Sequence, residues 1–123
     1  MYEHEALTKR ILACAITVHR ALGPGLLERS YERAFAIELL DQGLRFRQQV
    51  DVPVDYKGHR IGAYRPDFLI ENEVIVEIKA VDRFDPVHEA QLLAYMRAMR
   101  KRVGLLLNFN TPALRLGIRR RIL

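Results

Sequence analysis

Only one cysteine, Cys14, occurs in the 123 residues, so an internal disulfide is excluded and neither a CxxC pair nor a histidine pair is present to hold zinc. Its neighbours Ala13, Ala15 and Ile16 predict a small buried side chain with no chemistry of its own. No apolar run reaches membrane-spanning length, and the opening Met1-Tyr2-Glu3-His4-Glu5 is polar and acidic, unlike a signal peptide. A cytoplasmic protein with no membrane partner is expected. Internal repeats, linkers and low-complexity stretches are also lacking, which at this length predicts a single domain over residues 1–123.

What is present has the profile of a globular chain, 50% hydrophobic and 28% charged. Lys and Arg outnumber Asp and Glu by 20 to 15, a formal charge of +5. Arg97, Arg100, Lys101 and Arg102 form one basic cluster, and Arg115, Arg119, Arg120 and Arg121 form another. Both clusters can neutralise phosphates. The alternative is a solvated helix end and a frayed tail, because the helix dipole favours cations at a C-terminus.

Leu7, Ile11, Ala15, Val18 and Leu22 recur at helical spacing, so the first twenty-odd residues read as an amphipathic helix that Gly23-Pro24-Gly25 ends. A second helix is predicted from Leu26 to Asp41, with Leu27, Tyr31, Ala34, Phe35 and Leu39 inward and Gly43 as its stop. Alternating Val50, Val52, Val54 and Tyr56, a turn at Lys57-Gly58-His59-Arg60, a strand from Ile61 to Ile70 and a strand from Val74 read as a three-stranded meander. Pro66 predicts an irregularity just before Asp67. Asp85-Pro86 is a helix start, the helix running to Lys101, and Val103 to Phe109 reads as a buried strand. The order α-α-β-β-β-α-β predicts an α/β fold around a mixed sheet.

Within Val74-Ile75-Val76-Glu77-Ile78-Lys79-Ala80, alternation places Glu77 and Lys79 on one face. The preceding Asp67-Phe68-Leu69-Ile70 joins this run through Glu71-Asn72-Glu73. An odd-length hairpin centred on Asn72 puts Asp67 directly across from Glu77, where like charges repel unless a cation sits between them. A two-residue turn would separate them onto opposite faces. The alternative is a pair of surface charges with Lys79 as salt-bridge partner, but the flanking Val, Ile and Ala describe a nearly buried strand in which charge is costly unless paired or metal-bound. Oxygen ligands without a Cys/His cluster select Mg2+ or Mn2+.

Pro66-Asp67, a short spacer and Glu77-Ile78-Lys79, between an acidic helix and a following helix and strand, resemble the PD-(D/E)XK nuclease superfamily. Gly25-Leu26-Leu27-Glu28-Arg29-Ser30-Tyr31 reads G-x-x-E-x-x-Y, and from Ala6 to Phe109 the chain is similar to the GxxExxY proteins assigned to that superfamily. The resemblance implies a restriction-endonuclease-like core and a metal-dependent nuclease acting on DNA, or less readily RNA. It assigns Glu28 to the metal shell with Asp67, Glu77 and the Ile78 carbonyl. It gives Lys79 the task of orienting water or stabilising the phosphate, and it matches Gln91 and Tyr95 to positions that orient the lysine or contact phosphate. The catalytic set is then Glu28, Asp67, Glu77, Lys79 and Gln91, with Tyr31, Tyr95, Arg97, Arg115, Arg119, Arg120 and Arg121 as nucleic-acid contacts. Without the resemblance, Glu28 also reads as a glutamate stabilised at a helix N-terminus, Tyr95 as core packing and His88, on the same helical face, as surface. A non-catalytic nucleic-acid-binding or regulatory module on the same fold is the rival function. A homodimer is left open.

Overall fold

The computed structural model describes residues 4–123; the polar opening at residues 1–3 lies outside the described residues. Helix α1 (Glu5–Leu22) buries Ile11, Cys14, Ala15 and Val18 along one stripe and ends where Gly23, at φ 66°, returns its amide to the His19 carbonyl. Cys14 is a free, buried thiol. Helix α2 (Glu28–Asp41) buries Tyr31, Phe35 and Leu39. Leu27, expected inside, is 80% exposed, because it precedes the helix in extended conformation as the N-cap.

Seven strands follow or intervene: β1 (Phe46–Gln48), β2 (Val52–Tyr56), β3 (His59–Tyr64), β4 (Phe68–Ile70), β5 (Val74–Lys79), then α3 (Pro86–Met99), β6 (Val103–Asn108), a 3-10 turn at Leu114–Gly117 and β7 (Ile118–Ile122). Five strands form one mixed sheet in the order β1-β4-β5-β6-β7. β5 and β6 are parallel, joined across the face by α3, and the other pairs are antiparallel. Phe68, Ile70, Val74, Val76, Ile78, Leu105 and Leu107 pack with α1 and α2 on one face. Leu69, Ile75 and Leu106 pack with Leu92 and Met96 of α3 on the other. Continuous apolar runs in β5 and β6 follow from this burial on both sides. Gly104 lets α3 approach, since a Cβ there would lie 2.6 Å from Met96 Sδ.

The α/β architecture with a mixed sheet flanked by helices is as expected, but the meander is not. The predicted strand from Ile61 to Ile70 breaks at Arg65, Pro66 and Asp67, and β2 and β3 leave the main sheet as a separate hairpin. Pro66 has no amide to continue a ladder, and the free edge of β4 is taken by β1 instead. Strands β1 and β7 were not expected; the chain reads α-α-β-β-β-β-β-α-β-β. Asp85 caps α3 as predicted, accepting from the Val87 amide at 2.9 Å, while the helix stops at Met99 because Arg100 adopts a left-handed conformation at φ 56°.

Candidate functional site

The β4–β5 hairpin has the three-residue loop Glu71-Asn72-Glu73, with Ile70 opposite Val74 and Phe68 opposite Val76. That register carries Asp67 opposite Glu77, both buried, at 8% and 6% exposure. Beyond the last ladder pair, side chains replace main-chain bonding. The Asp67 amide donates to Glu77 Oε1 at 2.7 Å, and the Ile78 amide donates to Asp67 Oδ2 at 2.8 Å. Asp67 Oδ1 accepts from Gln49 Nε2 at 3.2 Å, a contact from the segment after β1 with no counterpart in the sequence reading.

Helix α2 brings two further carboxylates. Oxygens of Glu28, Glu32 and Asp67 lie within 4.8 Å of one another, the only such acidic group among the described residues. Glu28 was anticipated; Glu32 was not. Its signal is its place four residues after Glu28, one turn further along the same helical face. The loop leading into α2 explains how Glu28 is held. Gly25 sits at φ 103°, a conformation open to glycine, and Tyr31 Oη donates to the Gly23 carbonyl at 2.5 Å while accepting from the Leu26 amide at 3.1 Å. Tyr31 is fully buried and stacked on Phe109 at 4.7 Å. Its assignment as a nucleic-acid contact is therefore corrected: the ring is core and the hydroxyl pins the loop.

Burial, and after it the crowding of negative charge, raises the carboxyls. Burial, followed by repulsion from Asp67, pushes Glu77 up to about 8. Glu32 is raised to about 7 by burial and then by the charge of, and hydrogen bond to, Asp67. Glu28 is raised by burial, opposed by Lys79 and the Ala80 amide. Lys79 is thus the cation that acts on Glu28, Glu32 and Glu77 alike, at the end of β5. An all-oxygen set of three carboxylates, self-repelling in a partly buried place, fits a hard divalent cation. An open groove of about 590 Å³ lined by Glu28, Arg29, Glu32, Arg33, Gln48 and Gln49 leads to it.

From the α3 side, Tyr95 packs on Tyr64 of β3 with ring centres 5.1 Å apart. Burial raises its hydroxyl, with the charges of Glu77 and Asp67 adding to the effect. Gln91 is exposed one turn earlier on α3. His88 accepts from the Asp85 amide at Nδ1, 3.1 Å, as part of the helix cap.

The arginines are more dispersed. Arg97 stands in the last turn of α3, the end away from Lys79 because α3 runs back across a parallel β5–β6 pair. Arg115 lines a separate cavity of about 460 Å³ with Ile16, His19, Arg20 and Leu114, which none of the carboxylates lines. The tail that the alternative reading took as frayed is an ordered edge strand. There Arg121 pairs with Glu89 at 2.6 Å, Arg119 approaches the same carboxylate at 3.9 Å, and Arg119 also lies over Phe84. Arg120 has an interaction partner as well.

No helix among the described residues is long and apolar enough to cross a membrane. A family model described as the PD-(D/E)XK nuclease superfamily matches residues 5–121. Among curated proteins and solved structures, none matches the chain.

Proposed function

This chain belongs to the PD-(D/E)XK nuclease superfamily, and on that premise we propose that it is a metal-dependent nuclease that hydrolyses phosphodiester bonds in DNA, and secondarily in RNA. The observation that carries the reading is the convergence of Glu28, Glu32 and Asp67 within 4.8 Å, next to Glu77 and Lys79. Asp67, Glu28 and Glu32 would hold the cation, Mg2+ or Mn2+, with the Ile78 carbonyl and Glu77 completing its surroundings. When bound, the cation polarises the phosphodiester and lowers the pKa of water.

The protein's own groups supply the rest. Gln49 and the Ile78 amide fix the Asp67 carboxylate by hydrogen bonds to its two oxygens, so it is oriented in advance. Lys79 brings positive charge to the side of the site where the phosphate gains negative charge. Glu77, with a pKa raised to about 8, holds a proton at neutral pH in the metal-free protein and keeps one oxygen on the Asp67 amide. Gln91 and Tyr95 face the substrate from α3, and Arg29 and Arg33 line the groove through which a phosphate backbone would reach the carboxylates. All the acidic groups come from one chain, so the reading does not require a homodimer. A cytoplasmic setting belongs to the same reading.

The test is Mn2+-dependent cleavage across single-stranded, duplex, flapped and RNA substrates, comparing wild type with Asp67→Asn. Cleavage by wild type that the variant loses supports the nuclease. Nucleic-acid binding with no metal-dependent cleavage by either protein would assign the chain to the binding-module class instead.

A further inference from the structure

The β2–β3 hairpin stands apart from the main sheet, yet its second strand runs through Arg65 and Pro66 straight into Asp67. Its base is anchored: Val52, paired with Tyr64 across the hairpin, is 6% exposed, and Tyr64 rests on Tyr95 of α3 at an interplanar angle of 57°. Tyr64 is nonetheless 38% exposed. Three residues before Asp67, and touching the tyrosine that feels the charge of Glu77 and Asp67, it presents a partly open aromatic ring at the edge of the acidic site.

Gly62 lies two residues earlier and so on the same face, opposite Val54. A glycine inside a strand weakens it and marks a bulge, a bend or a close approach by another group. The register irregularity of this hairpin adjoins it: Val54 pairs with Gly62 and Asp55 with Arg60, which leaves Ile61 as the extra residue, and a glycine beside such a bulge is in keeping with the backbone. Gly62 has no positive φ, and a Cβ built on it would meet nothing within 4 Å. What the glycine adds for a ligand is open space: on the Tyr64 side of the strand the backbone is bare and nothing among the described residues packs over it. Ion pairs of Arg60 with Asp55 and Arg65 with Asp51 hold the two strands together near either end of the hairpin.

We propose that Tyr64 and the bare backbone at Gly62 form a shelf on which an unpaired nucleobase stacks beside the carboxylates, so that the protein prefers single-stranded nucleic acid or frayed ends to intact duplex. This rests on the nuclease reading and adds the form of substrate to it. Stacking on an aromatic ring tolerates any base, so the shelf selects for unpaired structure and not for sequence. The nucleobase is common to DNA and RNA.

The full chain is titrated, with Ca2+ replacing Mg2+ or Mn2+ and substrate integrity checked on gels, against single-stranded DNA, single-stranded RNA and blunt duplex DNA carrying 2-aminopurine. Wild type should bind single strands more tightly than duplex and quench the probe. Tyr64→Ala should lose roughly tenfold in single-strand affinity with little change on duplex, and Tyr64→Phe should retain it. Gly62→Val should lose single-strand affinity while its melting temperature is unchanged or higher, which separates a blocked shelf from a damaged fold. Equal losses on both single strands support a shelf for either nucleic acid, and a loss on one alone supports it and identifies the source. If Tyr64→Ala and Gly62→Val bind like wild type, or weaken duplex and single strand alike, the shelf is overturned although the nuclease reading stands. Wild type that binds no nucleic acid overturns both.

Discussion

Asp67 and Glu77 face each other across the end of a hairpin, and each uses a carboxylate to bond main-chain amides where the ladder has stopped: Glu77 takes the Asp67 amide and Asp67 takes the Ile78 amide. Pro66 is the reason. It ends the pairing one residue earlier, so the two acids supply the bonds that the backbone no longer makes and remain buried while doing so. The same feature that gives the site its fixed geometry therefore leaves it electrostatically unfavourable.

That relationship has a pH signature. Glu77 titrates at about 8 in the folded chain against an ordinary value of 4.5, chiefly through burial. A group raised in the fold favours its protonated form there, so its contribution to stability is greatest below pH 4.5 and declines as pH rises through 8. In the absence of divalent metal, wild type should lose stability over this window by up to a few kcal/mol. Glu77→Gln should flatten the decline. Urea midpoints at pH 5, 6.5 and 8 measure it, and a wild type and variant that run parallel would show that Glu77 ionises freely.

Glu32 is the second point of decision. Glu32→Gln should weaken Mn2+ binding by about tenfold or more in titration calorimetry, since loss of groups even beyond the direct ligands costs about 10- to 100-fold. Glu89→Gln, an acid engaged with β7, should leave it unchanged. A Glu32→Gln protein with wild-type affinity, beside a Glu77→Gln protein that binds poorly, would move the metal from the α2 side to the hairpin pair.

Tyr31→Phe should destabilise the protein by about 1–3 kcal/mol, because the Leu26 amide and the Gly23 carbonyl both lose their partner in a loop that the buried ring cannot leave. Nucleic-acid affinity should stay at the wild-type value. An affinity loss with unchanged stability would return Tyr31 to the substrate surface.

Tyr31 also illustrates what was legible in the sequence. Its place in the inward stripe of α2 was readable from spacing, whereas the loop amide its hydroxyl serves was not, since Gly23 and Leu26 close on it only in three dimensions. The Asp67–Glu77 register was readable because the Glu71-Asn72-Glu73 loop has odd length and the apolar residues alternate around it. Glu32 carried one signal, its place a turn after Glu28 on the same helical face, but spacing alone does not tell which of the half-exposed charges of α2 approach Asp67. Strand β1 has three residues, too few for a period, and β7 is an edge strand rich in arginine, which reads as a tail until β6 supplies its hydrogen bonds. The departure of β2 and β3 from the main sheet depends on competition for the edge of β4, which β1 wins. No single segment encodes that contest.

Basic residues near and far from the acids should separate in a salt titration. Arg29 and Arg33 line the groove at Glu28 and Glu32, whereas Arg119 and Arg121, on β7 two strands from β5, are drawn to Glu89 of α3. Replacing Arg29 and Arg33 with Ala should reduce the slope of log K against log salt by about one to two, close to one per phosphate contact. Replacing Arg119, Arg120 and Arg121 should change it less. The reverse order would put the nucleic acid along β7 and away from the groove.

Lys79 divides catalysis from binding. It contributes no carboxylate, so Lys79→Ala should keep Mn2+ affinity, and removal of a cation from among self-repelling acids leaves the metal with an equal or stronger pull. Cleavage is another matter, because the charge that develops on phosphate loses a fixed stabiliser at the end of β5. The rate should fall by on the order of a hundredfold or more, measured under single-turnover conditions with Mn2+ saturating for both proteins. Lys79→Arg restores charge but brings a planar, forked head in place of a compact ammonium, and it should recover nucleic-acid affinity more fully than rate. If wild type cleaves and Lys79→Ala cleaves equally fast with metal bound, the reaction does not pass beside β5, and the activity belongs to a different site or to a contaminant.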